Sequence, residues 1–313
     1  MTDSDANQTS GPGRKLSLIG IGAGDPDYVT AQAARAIEAF DVLFVVTKEA
    51  DKNDLVQART TVVETYRKTP FRTVELSDPP RPWKHAPHYN DAVAQWRHQR
   101  AEQWEQAIGE QLAEGEHGAF LVWGDPSLYE STLTVVQEVL RRGRVAFDYE
   151  VIPGVSSVFA LAARHRIPLN RQGGAVQITP ARLLAQGLPP RVSDIVVMLD
   201  PDLAFSRIED DNIHIYWGAY LGTADEILID GPLHDVRDEI VRVRAEAKLK
   251  KGWMFDTYLL RRTVTERRRS EVERRQQQVE RQAHEIERRS GIDRRESHLT
   301  VPDLPPMPGP TEA

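Results

Sequence analysis

The chain has 313 residues, a hydrophobic content of 40% and a formal net charge of -7. That is room for two modest domains with buried cores, and the acidic balance gives no reason to expect binding to nucleic acid or to an anionic membrane. There is no cysteine, which excludes disulfides, thiolate metal sites and a cysteine nucleophile.

Residues 1–13 are polar and rich in Gly, Ser and Asp, so a disordered leader without a signal-peptide core is expected. From residue 14 onward, short apolar runs alternate with helical spacing, which predicts α/β layering with largely parallel strands. Strands are predicted at 15–20, 42–46, 119–123 and 145–151, and helices at 30–40 and 132–142. After a turn at Pro153-Gly154, a second set follows. Its strands are predicted at 175–179, 194–199, 212–217 and 226–230, its helix at 234–248, and an edge strand closes it at 253–260. The expected domains are 14–157 and 158–262.

Residues 50–115 read as a long connection, with a Pro-rich loop at 78–83 and an amphipathic helix over 90–113. Residues 263–313 are an Arg/Glu/Gln-rich tail with one apolar residue per heptad (Val272, Val279, Ile286). That seam is too narrow for a coiled coil, so a solvated helix or disorder is expected. The longest apolar runs are strand-sized and too short to span a bilayer. Together with the missing cysteine, this predicts a cytoplasmic protein.

Three turns follow predicted strands. The first is Gly20-Ile-Gly22-Ala-Gly24-Asp25-Pro26. Its spacing departs from the dinucleotide G-x-G-x-x-G, and it lacks the Gly-Lys-Ser/Thr of a phosphate loop. The second is Trp123-Gly124-Asp125-Pro126-Ser127-Leu128-Tyr129, and the third is Pro153-Gly154-Val155-Ser156-Ser157. Turns at the carboxyl ends of neighbouring strands line one crevice, where open α/β sheets bind ligands. Singly, each could also be an ordinary tight turn or a helix cap.

This ordered set resembles the tetrapyrrole methylase family, the class III methyltransferases. So do Ala162–Asn170, Tyr216–Thr223 and Lys251–Arg262. The resemblance covers residues 14 to 262 and implies a two-domain α/β fold with S-adenosylmethionine in the cleft between the domains. It implies cofactor contacts at Ala23, Gly124, Asp125, Leu128, Ser156, Ser157, Met198 and Gly222, a tetrapyrrole substrate and a homodimer. The reaction it implies is C-1 methylation of precorrin-5 with release of acetate. Asp125 could accept hydrogen bonds from a ribose or amino group; Met198 could face an adenine or simply fill the core.

Loss of the acetyl group needs a base for water and a donor for the oxyanion. Asp25 is the candidate base, although an Asp after a glycine turn also serves as a backbone cap. Tyr129 is the candidate donor. A polycarboxylate ring calls for cations and aromatics, and the long connection offers Arg72, Arg81, Trp83, Lys84, His85, His88, Tyr89, Arg97 and Trp104. The other reading is a solvated helix with Trp96 and Trp104 on its buried side. No metal is expected, because His85 and His88 lack further ligands at metal spacing. Thr47–Ala50 departs from the family wording, which leaves Lys48 without a role, and the tail has no counterpart there. Two alternatives stay open: a sister methylase acting at another ring carbon, and an inactive methylase body that serves as a scaffold through its tail.

Overall fold

The computed structural model describes residues 13–47, 53–79, 89–190, 192–263 and 281–282. The chain divides into two compact units, Met1–Arg262 and Thr263–Ala313, and every element below lies in the first. In the second, residues 281–282 are helical. The leader up to residue 12, Lys48, the Pro-rich loop from 80 to 88 and nearly all of the tail lie outside the described residues.

The first sheet contains β1 (Lys15–Gly20), β2 (Val42–Thr47), β3 (Arg72–Ser77), β4 (His117–Val122) and β5 (Asp148–Ile152). Their order is β3-β2-β4-β1-β5, all parallel. Helices α1 (Ala31–Ala39), α2 (Asn53–Tyr66), α3 (Tyr89–Gln111) and α4 (Thr132–Arg142) connect them. Sequence chemistry sets the helix ends. Thr30 Oγ1 accepts from Ala33 N at 3.1 Å and starts α1, and Arg67 donates to the carbonyls of Ile37 and Glu38 at its end. The Glu130 carboxylate collects the N–H groups of Ser131 and Thr132 and so starts α4, which closes at Gly143 with φ 71°.

The second sheet contains β6 (Val176–Pro180), β7 (Asp194–Met198), β8 (Ile213–Ala219), β9 (Ile227–Pro232) and β10 (Asp256–Arg262), with α5 (Ser157–Arg164) before it and α6 (Leu233–Lys251) between its last two strands. Its order is β6-β7-β10-β8-β9. Only β6–β7 is parallel; the other three pairings are antiparallel.

Three expectations need correction. Parallel pairing holds for the first sheet and fails for most of the second. The last strand is central rather than at the edge: Thr257 to Leu260 are all buried, as a strand covered on both faces requires. The long connection also contributes β3, an edge strand whose mostly exposed Arg72–Ser77 run hides its period. In α3, Trp104 stacks on Phe120 at 4.4 Å and Trp96 Nε1 donates to Pro79 O at 2.9 Å. Trp104 is therefore core, not a substrate contact, and Arg72 is paired with Glu116.

At the amino ends of the strands, Ser17 Oγ donates to Glu150 Oε1 at 2.7 Å and lies 2.6 Å from His117 Nε2. The hydroxyl has one proton, so His117 must donate through Nε2–H. Burial pulls the His117 pKa below the ordinary 6.5, against the pull of Glu150 and Asp41 upward. The unfolded chain therefore takes up the proton first. Stability from this site is complete above the unfolded value and is lost as pH falls through it toward the folded pKa. In His117→Gln the loss of urea resistance from about pH 7 to about pH 5 should shrink. An unchanged loss would remove His117 from the acid sensitivity.

Candidate active site

In the first sheet the chain runs from β1 to β2 on one side and from β4 to β5 on the other. A crevice therefore opens beyond the carboxyl ends of β1 and β4, where the strand order reverses. All three sequence turns emerge there. Gly22 and Gly124 form an antiparallel bridge, with Gly124 N donating to Gly22 O at 2.8 Å. The third turn presses against both: a Cβ on Gly154 would lie 2.1 Å from Gly124 O and 2.8 Å from Gly20 C.

Asp125 staples this knot. Its Oδ1 accepts from the N–H and hydroxyl of Ser127, and its Oδ2 accepts from Gly154 N at 3.0 Å. Burial pushes the carboxyl up, but the bonds from Ser127 and Gly154 outweigh it and hold the pKa below the usual value. Both oxygens thus serve the turns, and a carboxylate has acceptor capacity beyond these three bonds.

The second sheet approaches the same crevice. Ala23 is buried in an apolar cluster with Val158, Leu161, Val196 and Leu259, and Tyr28, Leu128 and Met198 pack against it. Three of the expected cofactor contacts, Ala23, Leu128 and Met198, are therefore neighbours drawn from both halves of the molecule. Ser156 caps α5 by accepting from Val158 N at 3.3 Å. Ser157 Oγ lies 3.1 Å from Thr257 Oγ1, and Thr257 is the register partner of Met198. Gly222, at φ +74°, packs on the first turn, where a Cβ would meet the Tyr28 ring at 2.9 Å and Asp25 N at 3.0 Å. Tyr28 and Thr257 carry no local signal in the sequence, because their partners here, Gly222 and Ser157, lie far along the chain.

Asp25 caps a short 3₁₀ turn, with Oδ1 accepting from Asp27 N at 2.9 Å. It lines an open hollow of about 540 Å³ with Tyr28, Arg164, Thr223 and Glu226. Tyr129 stands elsewhere, its hydroxyl donating to Ile178 O of β6 at 3.3 Å. Burial raises its pKa against the opposing charge of Arg182, so the phenol keeps its proton. The turn holding Gly222 follows β8, and β7 and β10 lie between β8 and β6. At strand spacing that is about 14 Å. The structure therefore does not bring Asp25 and Tyr129 to one reacting carbon.

A cavity of about 730 Å³ lies on the other side of the second turn. It is lined by Trp123, Glu130, Thr132 and Arg100 with residues of β2, β3 and α2. Among the described residues, no three His, Asp or Glu side chains gather as a metal site, and no helix is long and apolar enough to cross a membrane.

A parallel sheet and a mixed sheet meet here at glycine turns, over an apolar floor with the Ser157–Thr257 hydroxyl pair beside it, which is the make-up of a two-sheet α/β protein with a ligand crevice. The chain belongs to the tetrapyrrole (corrin/porphyrin) methylases, whose family profile matches residues 15–237. It is 47% identical to a precorrin-6A synthase [deacetylating] of Sinorhizobium sp, over 80% of this chain and 95% of that protein. A cobalamin synthesis related protein (CobF) from Corynebacterium diphtheriae superposes with a TM-score of 0.69 at 32% identity, over 80% of this chain and 99% of that one. Uroporphyrin-III C-methyltransferase from Thermus thermophilus, solved with S-adenosyl homocysteine, shares the fold at a TM-score of 0.50 and 18% identity, over 79% of this chain and 91% of that one.

Proposed function

We propose that the protein transfers a methyl group from S-adenosylmethionine to C-1 of precorrin-5 and releases the acetyl group as acetate, giving precorrin-6A. The observation that carries this reading is the 47% identity to a deacetylating precorrin-6A synthase along nearly its whole length. It is supported by the meeting of Ala23, Leu128 and Met198 in one cluster.

The crevice suits that cofactor. Ala23, Leu128 and Met198 offer an apolar surface for a flat purine, and the Ser157–Thr257 hydroxyl pair offers polar contacts beside it. The cofactor supplies an electrophilic methyl on a sulfonium; the protein supplies alignment and excludes water. Gly124 and Gly222 hold their turns close, Asp125 and Ser156 fix the second and third turns, and none of these four needs to react.

Deacetylation requires water to add to the acetyl carbonyl, after which the C–C bond breaks and its electron pair stays on the ring carbon that takes the methyl. Asp25 takes the proton from that water. Its Oδ1 is used by the cap, and Asp25 lines the hollow, which leaves Oδ2 for the water. Tyr129 has its one hydroxyl proton on Ile178 O and stands apart from Asp25, so it takes no proton-donating role in this step. Asp25→Asn keeps the cap acceptor and should slow acetate release by about a hundredfold or more, with cofactor affinity retained in calorimetry. Wild-type acetate release in this variant would remove Asp25 as the base.

The reading as a whole is tested by incubating the protein with precorrin-5 and S-adenosylmethionine. Mass spectrometry should show one added methyl and a stoichiometric assay one acetate. Methylation without acetate would point to a sister enzyme, and no cofactor binding to a scaffold. We further place the protein in the cytoplasm as a homodimer, on the family resemblance; sedimentation checks the dimer.

A further inference from the structure

Water-exposed large apolar side chains are ordinary when scattered, and informative when they gather. Tyr129, Leu199 and Phe255 are 42%, 57% and 44% exposed, and topology gathers them. Trp123 and Tyr129 are the two ends of the second turn, and each reaches the second sheet. The Trp123 ring lies 6.5 Å from that of Phe255, just before β10. The Tyr129 hydroxyl sits on Ile178 O of β6. Between β6 and β10 runs β7, which ends at the Thr257-paired Met198 and is followed directly by Leu199. The turn therefore spans the strand whose end presents Leu199.

Two of these residues are held in a costly shape. Tyr129 and Leu199 have φ of 52° and 56°, a left-handed conformation that side chains with a Cβ rarely adopt, at roughly 1–3 kcal/mol each. The surroundings enforce it for Leu199: the next residue, Asp200, accepts from Asp202 N, Ala204 N and the Tyr258 hydroxyl. The fold thus spends strain to keep an aliphatic side chain in water. Pro180, at the end of β6, is the register partner of Met198. Two residues later comes Arg182, which is exposed, lies close enough to Tyr129 to act on its hydroxyl, and makes no ion pair among the described residues.

We propose that Trp123, Tyr129, Leu199 and Phe255 form the wall on which the macrocycle of the substrate lies, with Arg182 receiving one of its peripheral carboxylates. The inference rests on the methylase reading of the crevice and names the residues that select for a flat, polyanionic ring. Three aromatic side chains and an aliphatic one suit a broad apolar face, and a guanidinium suits a carboxylate at its rim.

The test uses the full chain. Phe255→Ala and Leu199→Ala should each raise KM for precorrin-5 about tenfold, while S-adenosylmethionine affinity stays within about twofold by calorimetry. Uroporphyrin III, as a stable polycarboxylate ring, should quench tryptophan fluorescence of the wild type. It should bind more weakly, and with less salt dependence, to Arg182→Gln. Unchanged KM and quenching in the variants would overturn the wall, and so would a change in sedimentation with KM unchanged, which would make the patch a contact between copies. If the wild type fails to methylate precorrin-5 yet binds uroporphyrin III in a way sensitive to Phe255 and Arg182, the wall stands and the C-1 assignment falls.

Discussion

Gly154→Ala should abolish measurable binding of S-adenosylmethionine, a loss of at least about a hundredfold, and lower the thermal midpoint by several degrees. Gly154 has no left-handed φ to protect; what the methyl lacks is space. It would sit 2.1 Å from Gly124 O and within 3 Å of the Gly20 backbone. Every one of those obstacles is main chain, so no rotamer change relieves the clash. The third turn must move off the other two, and Gly154 N then leaves the Asp125 carboxylate that it meets at 3.0 Å. Overpacking of this kind typically costs about 1–3 kcal/mol or more. In a body of this size that is a shift of roughly 2–4 °C per kcal/mol. The displaced turn carries Ser156 and Ser157, so the binding loss should exceed the stability loss. A variant with wild-type cofactor affinity would show that the knot of three turns is not the binding site.

A second large effect lies behind the crevice. Arg244 and Asp256 form an ion pair at 2.8 Å, with both side chains more than nine-tenths buried. Trp217 Nε1 adds a bond to the same carboxylate at 3.0 Å, and Arg244 also donates to Asp200 O. Burial pushes the Asp256 carboxyl up, and the guanidinium works against that push. Arg244→Met should cost about 3–5 kcal/mol in urea unfolding, because it strands a buried charge.

Its pH dependence is the diagnostic. An unpaired Asp256 has a folded pKa above the unfolded one, so the folded state binds the proton more tightly. The variant should therefore regain stability as pH falls through that raised pKa. If it were as stable as the wild type, or continued to lose stability on acidification, Asp256 would not carry the stranded charge. Asp200 and Asp256 flank the strand ends that present Leu199 and Phe255. Mild damage to this network should thus reach the crevice before it unfolds the lobe.

Much of this architecture is legible along the chain, and the illegible parts share a cause. Strands such as β1 and β7 are buried runs with strong local signals, and glycine turns mark their ends. The strand β3 is harder: one edge is open, and of its six residues only Leu76 is buried. Strand direction is harder still, because alternation looks the same in parallel and antiparallel pairs. The place of β10 is hidden for another reason: a strand that closes the series in sequence reads as an edge, and only the pairing order puts it in the centre. At the site, the glycines and Asp125 were visible as a motif, but the duty of Asp125 depends on Gly154, 29 residues away. Asp25 and Tyr129 looked like partners because each follows a strand of the first sheet. The strand order of the second sheet separates them, and no local pattern encodes that order.

The central place of β10 has a consequence for how the chain is made. On the ribosome, β7 and β8 emerge long before residues 256–262, the segment that must slot between them. Until then each presents an open hydrogen-bonding edge on the side that β10 will fill, the kind of surface that recruits strands from other chains. In the first sheet β4 likewise slots between the earlier β1 and β2, but all five of its strands precede residue 153. Synthesis should therefore yield a finished amino-terminal half carrying an incomplete second one. A chain stopped after Ala219 but before Asp256 should aggregate through β7 and β8 rather than simply lose its last strand.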